Sequence, residues 1–149
     1  MELQPPAGPP ARPVPVGLKL AQAARVVSRA FDDALAQSGG TLPVWLILIA
    51  LNAGRPANQR ELAEAVGIQE ATLTHHLNAM EAAGLITRER DPANRRVHRV
   101  QLTEEGVTLF GRLRQAAGAF DRKLRNGIGA PDLEALGAVL DQLAANARG

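Results

Sequence analysis

Residues 69–84, QEATLTHHLNAMEAAG, constrain this chain more than any other stretch. Leu73, Leu77 and Met80 recur at i, i+4 and i+7, the spacing of one apolar stripe on an α-helix. The stripe predicts a single helix, closed by Gly84 where a left-handed residue is favoured. Ala71, Thr72, His75, Asn78 and Ala79 fall on the opposite face, which is short, polar and nearly free of charge. A helix that meets only water gains from charged i,i+4 pairs. A helix that enters a major groove needs side chains that approach base edges without repelling phosphates.

The flanking segments give this helix its setting. Residues 58–66 read as a short helix, with Asn58 and Glu61 at capping-box spacing and Leu62 and Val66 facing inward. Gly67-Ile68 then makes a tight turn, so the two helices form a helix-turn-helix whose second member is the reading helix. After Gly84 the period shortens to two. Residues 85–90 and 97–102 are β-rich runs around the turn 91–96, which predicts a hairpin, or wing. Val100 and Leu102 point to one side of it, Arg99 and Gln101 to the other. Arg88, Arg90, Arg95, Arg96 and Arg99 crowd this hairpin, against only two acids, Glu89 and Asp91. Alone, such a run reads most simply as a solvated edge strand guarded against aggregation. Beside a helix-turn-helix it reads as a set of forks for phosphates and the minor groove.

Outside this unit, residues 1–17 hold six prolines and are expected to form an extended or disordered arm. Residues 18–37 form a helix with the stripe Leu20, Ala24, Val27, Phe31 and Leu35. Thr41 caps a helix over 42–52 that is apolar almost all round and must be central. Thr103 caps a long helix to about residue 125, with the stripe Val107, Phe110, Leu113, Ala117, Phe120 and Leu124. The last helix, 132–147, presents Leu133, Leu136, Leu140 and Leu143 for burial. The chain therefore reads as a mainly α fold in one domain, 18–149. A winged helix-turn-helix over about 41–103 is flanked by helices at about 18–38 and 104–147. The first, fifth and sixth helices carry more apolar surface than a small winged unit can cover, as in a core divided between two copies.

Composition excludes several classes. Without cysteine there is no disulfide, thiolate metal site or cysteine redox chemistry. His75 and His76 are adjacent and point about 100° apart on a helix, so they do not make a metal pair, and no cofactor is expected. No phosphate loop, nucleophile elbow or paired-carboxylate pattern supports an enzyme. The longest apolar run, 44–51, has the length of a core helix, and no signal-peptide order is present; a cytoplasmic protein without membrane contact is expected.

The run Gly84-Leu85-Ile86, then Asp91 and Arg96, then Leu102-Thr103-Glu104-Glu105-Gly106 resembles the wing and following helix of the MarR family of bacterial transcription regulators. Arg60-Glu61-Leu62-Ala63 through Thr72-Leu73-Thr74 and Leu77 is similar to that family's helix-turn-helix. One position departs: where many members place an acid two residues before the wing-tip Arg, this chain has Asn94, and Asp91 is the substitute within reach. The resemblance implies a homodimeric, sequence-specific double-stranded-DNA-binding regulator, a repressor, whose first and last helices interlock. The DNA-contact candidates are Thr72, Thr74, His75, His76 and Asn78 on the helix, and Arg88, Arg90, Asn94, Arg95, Arg96 and Arg99 on the wing. His75 is the base-contact candidate; His76 sits nearer the flank, where a phosphate or water meets it. The operator should be a pseudo-palindrome with half-sites about 34 Å apart. The resemblance also implies a small-molecule effector, with Phe31, Trp45 and Phe110 as aromatic walls, although core packing is the plainer role of each. The alternative is a winged-helix protein-interaction module that uses the polar helix face on another protein.

Overall fold

The computed structural model describes residues 12–54, 58–94 and 98–149. They divide after Ala30 into two units. Among the described residues the elements run α1 (Val16–Gln37), α2 (Leu42–Asn52), α3 (Gln59–Val66), α4 (Glu70–Ala82), β1 (Ile86–Arg90), β2 (His98–Leu102), α5 (Glu104–Arg125) and α6 (Ala130–Arg148). This is the mainly α winged helix-turn-helix expected from the periodicities. The arm ends sooner than expected, because Val16 and Gly17 already belong to α1 and the Lys19 N–H closes its first turn on the Pro15 carbonyl at 3.0 Å. Proline lacks the donor, but its carbonyl is a good acceptor. Residues 1–11 of the arm lie outside the described residues.

The caps follow local chemistry. Thr41 accepts from Val44 N–H, with Pro43 in the first turn of α2. Asn58 Oδ1 accepts from Glu61 N–H at 2.9 Å and starts α3. Gly67 adopts φ 78°, and both its N–H and that of Ile68 return to the Ala63 carbonyl, so α3 stops and α4 begins within three residues. Glu104 and Glu105 open α5, and Arg122, Lys123 and Arg125 close it, matching the helix dipole at both ends.

The core gathers residues of α1, α2, α3, α4, β1 and α5 in the second unit. Leu35, Ile47, Leu48, Leu62, Leu73, Leu77 and Leu113 are wholly buried, with Ala63, Met80, Ile86 and Leu109 nearly so. Helix α2 supplies Ile47 and Leu48 but leaves Ile49 exposed, so it is not buried all round as its composition suggested. Helix α5 keeps part of the expected face inward, with Leu113 buried and Phe110 packed against the core, but the stripe is shifted at its start. Gly106, Leu109 and Leu113 are buried while Val107 is exposed, because Gly106 lies against the backbone of Leu85 and fixes the rotation of the helix. In α6 the expected stripe is only half-covered: Leu133 and Leu143 are partly buried, whereas Leu136 and Leu140 are exposed.

Strands β1 and β2 pair antiparallel, with Ile86 opposite Leu102, Arg88 opposite Val100 and Arg90 opposite His98. Ile86 enters the core, and Val100 and Leu102 pack against it, while Arg99 and Gln101 face out as the alternation predicts. Thr103 joins the wing to α5 and to the end of α4. Its hydroxyl donates to the Gly84 carbonyl at 2.6 Å and accepts from Gly106 N–H at 3.1 Å, and its own N–H reaches the Leu85 carbonyl at 3.0 Å.

Candidate nucleic-acid interface

Helix α4 is anchored from one side only. Leu73, Leu77 and Met80 are buried, and Thr72, His75 and Asn78, three residues apart, are exposed on the face opposite. Between Glu70 in its first turn and Glu81 in its last, this helix carries no acid. The exposed face therefore offers hydroxyl, imidazole and carboxamide groups without a negative charge between them. Such groups pair with base edges, and phosphates alongside do not repel them.

Thr74 stands apart from the other candidates. It is half-buried, its hydroxyl donates to the Glu70 carbonyl at 2.9 Å, and it lies 3.5 Å from Gln59 Nε2 as acceptor. Its side chain ties α3 to α4. His76 is also half-buried, and its ring meets that of His75 edge-on with centroids 5.8 Å apart.

The wing arginines differ in what they hold. Arg90 is exposed at the end of β1. Arg99, its side chain 57% exposed, donates through Nε and Nη2 to Asp91 Oδ2 at 3.3 and 3.2 Å. Asp91 Oδ1 meanwhile accepts from Ala93 N–H at 2.8 Å and sets the start of the turn. That N–H, more than the Arg99 charge, holds the Asp91 carboxyl below the ordinary aspartate value of 3.8, against the opposing effect of burial. Asn94 is exposed. Arg95 and Arg96 lie outside the described residues.

Arg88 does not point outward with these. It shares the strand face of Ile86 and lies over the C-terminal half of α4, its side chain only 18% exposed. Nε and Nη2 donate to the two carboxylate oxygens of Glu81 at 3.2 and 3.1 Å, and Nη2 donates again to Asn78 Oδ1 at 2.6 Å. The Arg88 hydrogen bond holds the Glu81 carboxyl below the ordinary glutamate value of 4.5. Sequence reasoning missed Glu81. The signal was present: Glu81 follows Asn78 by one helical turn, and Arg88 is two residues from the core residue Ile86 on the same strand face.

The three aromatic candidates do not converge on one wall. Trp45 stacks on Phe110 with centroids 5.6 Å apart and planes at 22°, while Phe31 packs on Phe120 at 5.2 Å. Trp45 borders an open cleft of about 970 Å³ that α5 lines with Arg114, Gln115 and Arg122.

The two short helices, the turn at Gly67 and the hairpin against α4 make this a winged helix-turn-helix protein. The MarR family model matches residues 41–98, from the cap of α2 to the first residue of β2. Among solved structures the chain is similar to the transcriptional repressor CouR bound to a 23-mer DNA duplex, with 28% identity and a TM-score of 0.78, covering 87% of this chain and 92% of that one. It is similar to the MarR family transcription regulator SP03579 at 25% identity and TM-score 0.76, covering 87% and 89%. BpsR of Bordetella bronchiseptica, whose DNA binding is regulated by 6-hydroxynicotinic acid, shares the fold at 23% identity and TM-score 0.77, covering 92% and 98%.

Proposed function

We propose that this protein is a sequence-specific transcription regulator that binds double-stranded DNA through α4 and the wing. The observation that carries this is the outer face of α4. Thr72, His75 and Asn78 are exposed and uncharged, on a helix fixed to its domain by three buried residues, beside a hairpin with exposed Arg90 and Arg99. A protein-docking surface gains from exposed aromatic or aliphatic anchors, which this face lacks. The likeness to the DNA-bound repressor CouR supports the same reading, and with it repression as the mode of action.

The working form is a homodimer, residues 41–103 reading DNA and the flanking helices pairing the copies. Support comes from α6, where Leu136, Val139 and Leu140 are exposed at 49, 53 and 38%. A second copy is the partner that buries such a face in a symmetric assembly. The dimer would present two copies of α4 to successive major grooves, about 34 Å apart. A small-molecule effector would enter the cleft beside Trp45, where an aromatic wall faces two guanidinium groups. The BpsR precedent supports regulation of that kind.

The test is binding of the full chain to duplexes recovered from a random-sequence pool, against scrambled duplexes, at several salt concentrations. The expected result is a recovered pseudo-palindrome bound at least about a thousandfold more tightly than scrambled sequence, with affinity falling steeply as salt rises. Equal affinity for both, at every salt concentration, would leave the protein-interaction reading in its place.

A further inference from the structure

Asn78 and Arg88 meet across the junction of α4 and β1, with Nη2 of Arg88 2.6 Å from the Asn78 side chain. The amide atom that faces a guanidinium must be its oxygen, because arginine carries donors only. The same guanidinium is held from its other edge by both oxygens of Glu81. Three N–H groups of Arg88 are thereby committed, and the carboxamide of Asn78 has a fixed sense: Oδ1 toward the wing, Nδ2 as the group left to spend.

That sense decides which bases Asn78 can recognise. Asparagine reads adenine bidentately, Oδ1 accepting from N6 while Nδ2 donates to N7. Here the acceptor is engaged inside the protein. We propose that Asn78 reads an acceptor edge of the major groove through Nδ2, either O6 and N7 of guanine or O4 of thymine, and that Arg88 is the positioning residue that imposes this preference rather than a phosphate contact. The inference rests on the reading of α4 as the helix that enters the major groove. Adenine is disfavoured because its N6 donor would have to share an oxygen that Arg88 already engages and holds toward the wing, and cytosine because its N4 donor meets the same constraint. Arg88 also has little freedom to reach a phosphate, since its fork is closed on Glu81 and its side chain is largely covered.

The experiment uses the full chain and duplexes that the wild type selects from a random-sequence pool. Affinities are measured for every single-base variant at two salt concentrations, for wild type, Asn78→Ala, Arg88→Met and Arg88→Lys. Asn78→Ala should flatten preference at one position per half-site by about tenfold, and the wild-type base there should be guanine or thymine. Arg88→Met frees Oδ1, so preference at that same position should move toward adenine by about tenfold, with the salt slope unchanged. Arg88→Lys keeps a donor for Oδ1 and should keep the wild-type preference. Adenine as the wild-type base overturns the proposal without any Arg88 variant, and so decides the matter should Arg88→Met fail to fold. A salt slope lower by about one charge at unchanged preference would make Arg88 a phosphate contact and overturn it. Uniform weakening at all bases would reduce Arg88 to packing and overturn it equally. If the wild type selects no sequence at all, the DNA-binding reading itself falls, an outcome distinct from each of these.

Discussion

Gly106, in the first turn of α5, lies directly against the backbone carbonyl of Leu85, so that a Cβ there would overlap the Leu85 oxygen and stand 3.2 Å from Cδ2 of Leu102. The close approach lets Thr103 cap α5 and clamp Gly84 at once. The Leu-Thr-x-x-Gly run is thus a packing requirement at the joint between the wing and the long helix. Gly106→Ala should destabilise the protein by about 1–3 kcal/mol, because the neighbour is backbone and cannot swing aside. Gly111→Ala is the control. Nothing lies within 4 Å of its Cβ, and removing a glycine from a helix interior should stabilise by about 0.5–1 kcal/mol. Urea denaturation of the two variants reads both signs.

Acid should loosen the wing at the Glu81–Arg88 pair. The folded-state value of Glu81 lies below its ordinary 4.5, chiefly through the hydrogen bond from Arg88. A depressed carboxylate contributes stability above its unfolded value, and that contribution is lost as pH falls through the folded one. The window is therefore below 4.5, and Asp91, depressed from 3.8 by the Ala93 N–H, follows lower still. Glu81 is open to solvent, which screens its pairing with Arg88, so the effect on global stability is small. The sharper readout is the carboxyl carbon resonance of Glu81, whose midpoint should lie below 4.5 in the wild type and return to it in Arg88→Met. An identical midpoint in both proteins would mean that the pair does not persist in solution.

Much of this architecture was legible in the chain. The stripe of Leu73, Leu77 and Met80, the Asn58 cap and the alternation Arg99-Val100-Gln101-Leu102 each follow from a local rule, and each element appears where that rule puts it. What periodicity could not show is how elements meet. Val107 looked like a core residue by spacing, yet the Gly106–Leu85 contact turns α5 so that Leu109 is buried in its place. Thr74 looked like a member of the reading face, yet its hydroxyl is spent on Glu70 and Gln59. Arg88 belonged to a basic run, and only the strand register carries it back onto α4. Phe31, Trp45 and Phe110 were grouped by residue type, whereas packing separates Phe31 from the stacked pair.

Dimerisation should depend on the open face of α6. Leu136 and Leu140 are both exposed and lie one helical turn apart. Replacing both by Asp places two charges where a partner's apolar side chains would have to desolvate them. Sedimentation at micromolar concentration should show a dimer for the wild type and a monomer for the double variant. A wild type that sediments as a monomer would remove the dimer from the model of function.

Trp45 offers a direct report on the cleft. It is the only tryptophan in the chain, and it stacks on Phe110 at the edge of a space bordered by Arg114 and Arg122. A small aromatic carboxylate, matched to these two guanidinium groups, should quench its emission, and Arg114→Ala with Arg122→Ala should weaken that quenching. Regulation requires more, because a ligand shifts binding to DNA only if it prefers one of two states. A ligand that quenches Trp45 yet leaves affinity for the selected duplex unchanged would keep the pocket and remove the effector.

Helix and wing should fail differently when each loses one side chain. His75 is exposed between Thr72 and Asn78 on the outer face of α4, which under the proposed reading meets the major groove, where every base pair presents a distinct pattern of donors and acceptors. His75→Ala should relax preference at one or two operator positions, costing about 1–3 kcal/mol for the preferred base and little elsewhere. The sequence pattern assigns Arg96 to the turn of the wing, which in this mode would follow the minor groove, where width and A·T content are read but little else. Arg96→Ala should weaken binding to most sequences together and lower the salt slope by about one charge. Affinities for a panel of single-base operator variants at two salt concentrations separate the two behaviours. An unchanged affinity and salt slope in Arg96→Ala would take the wing tip off the DNA. Equal weakening across the panel in His75→Ala would show that α4 reads no base through that imidazole.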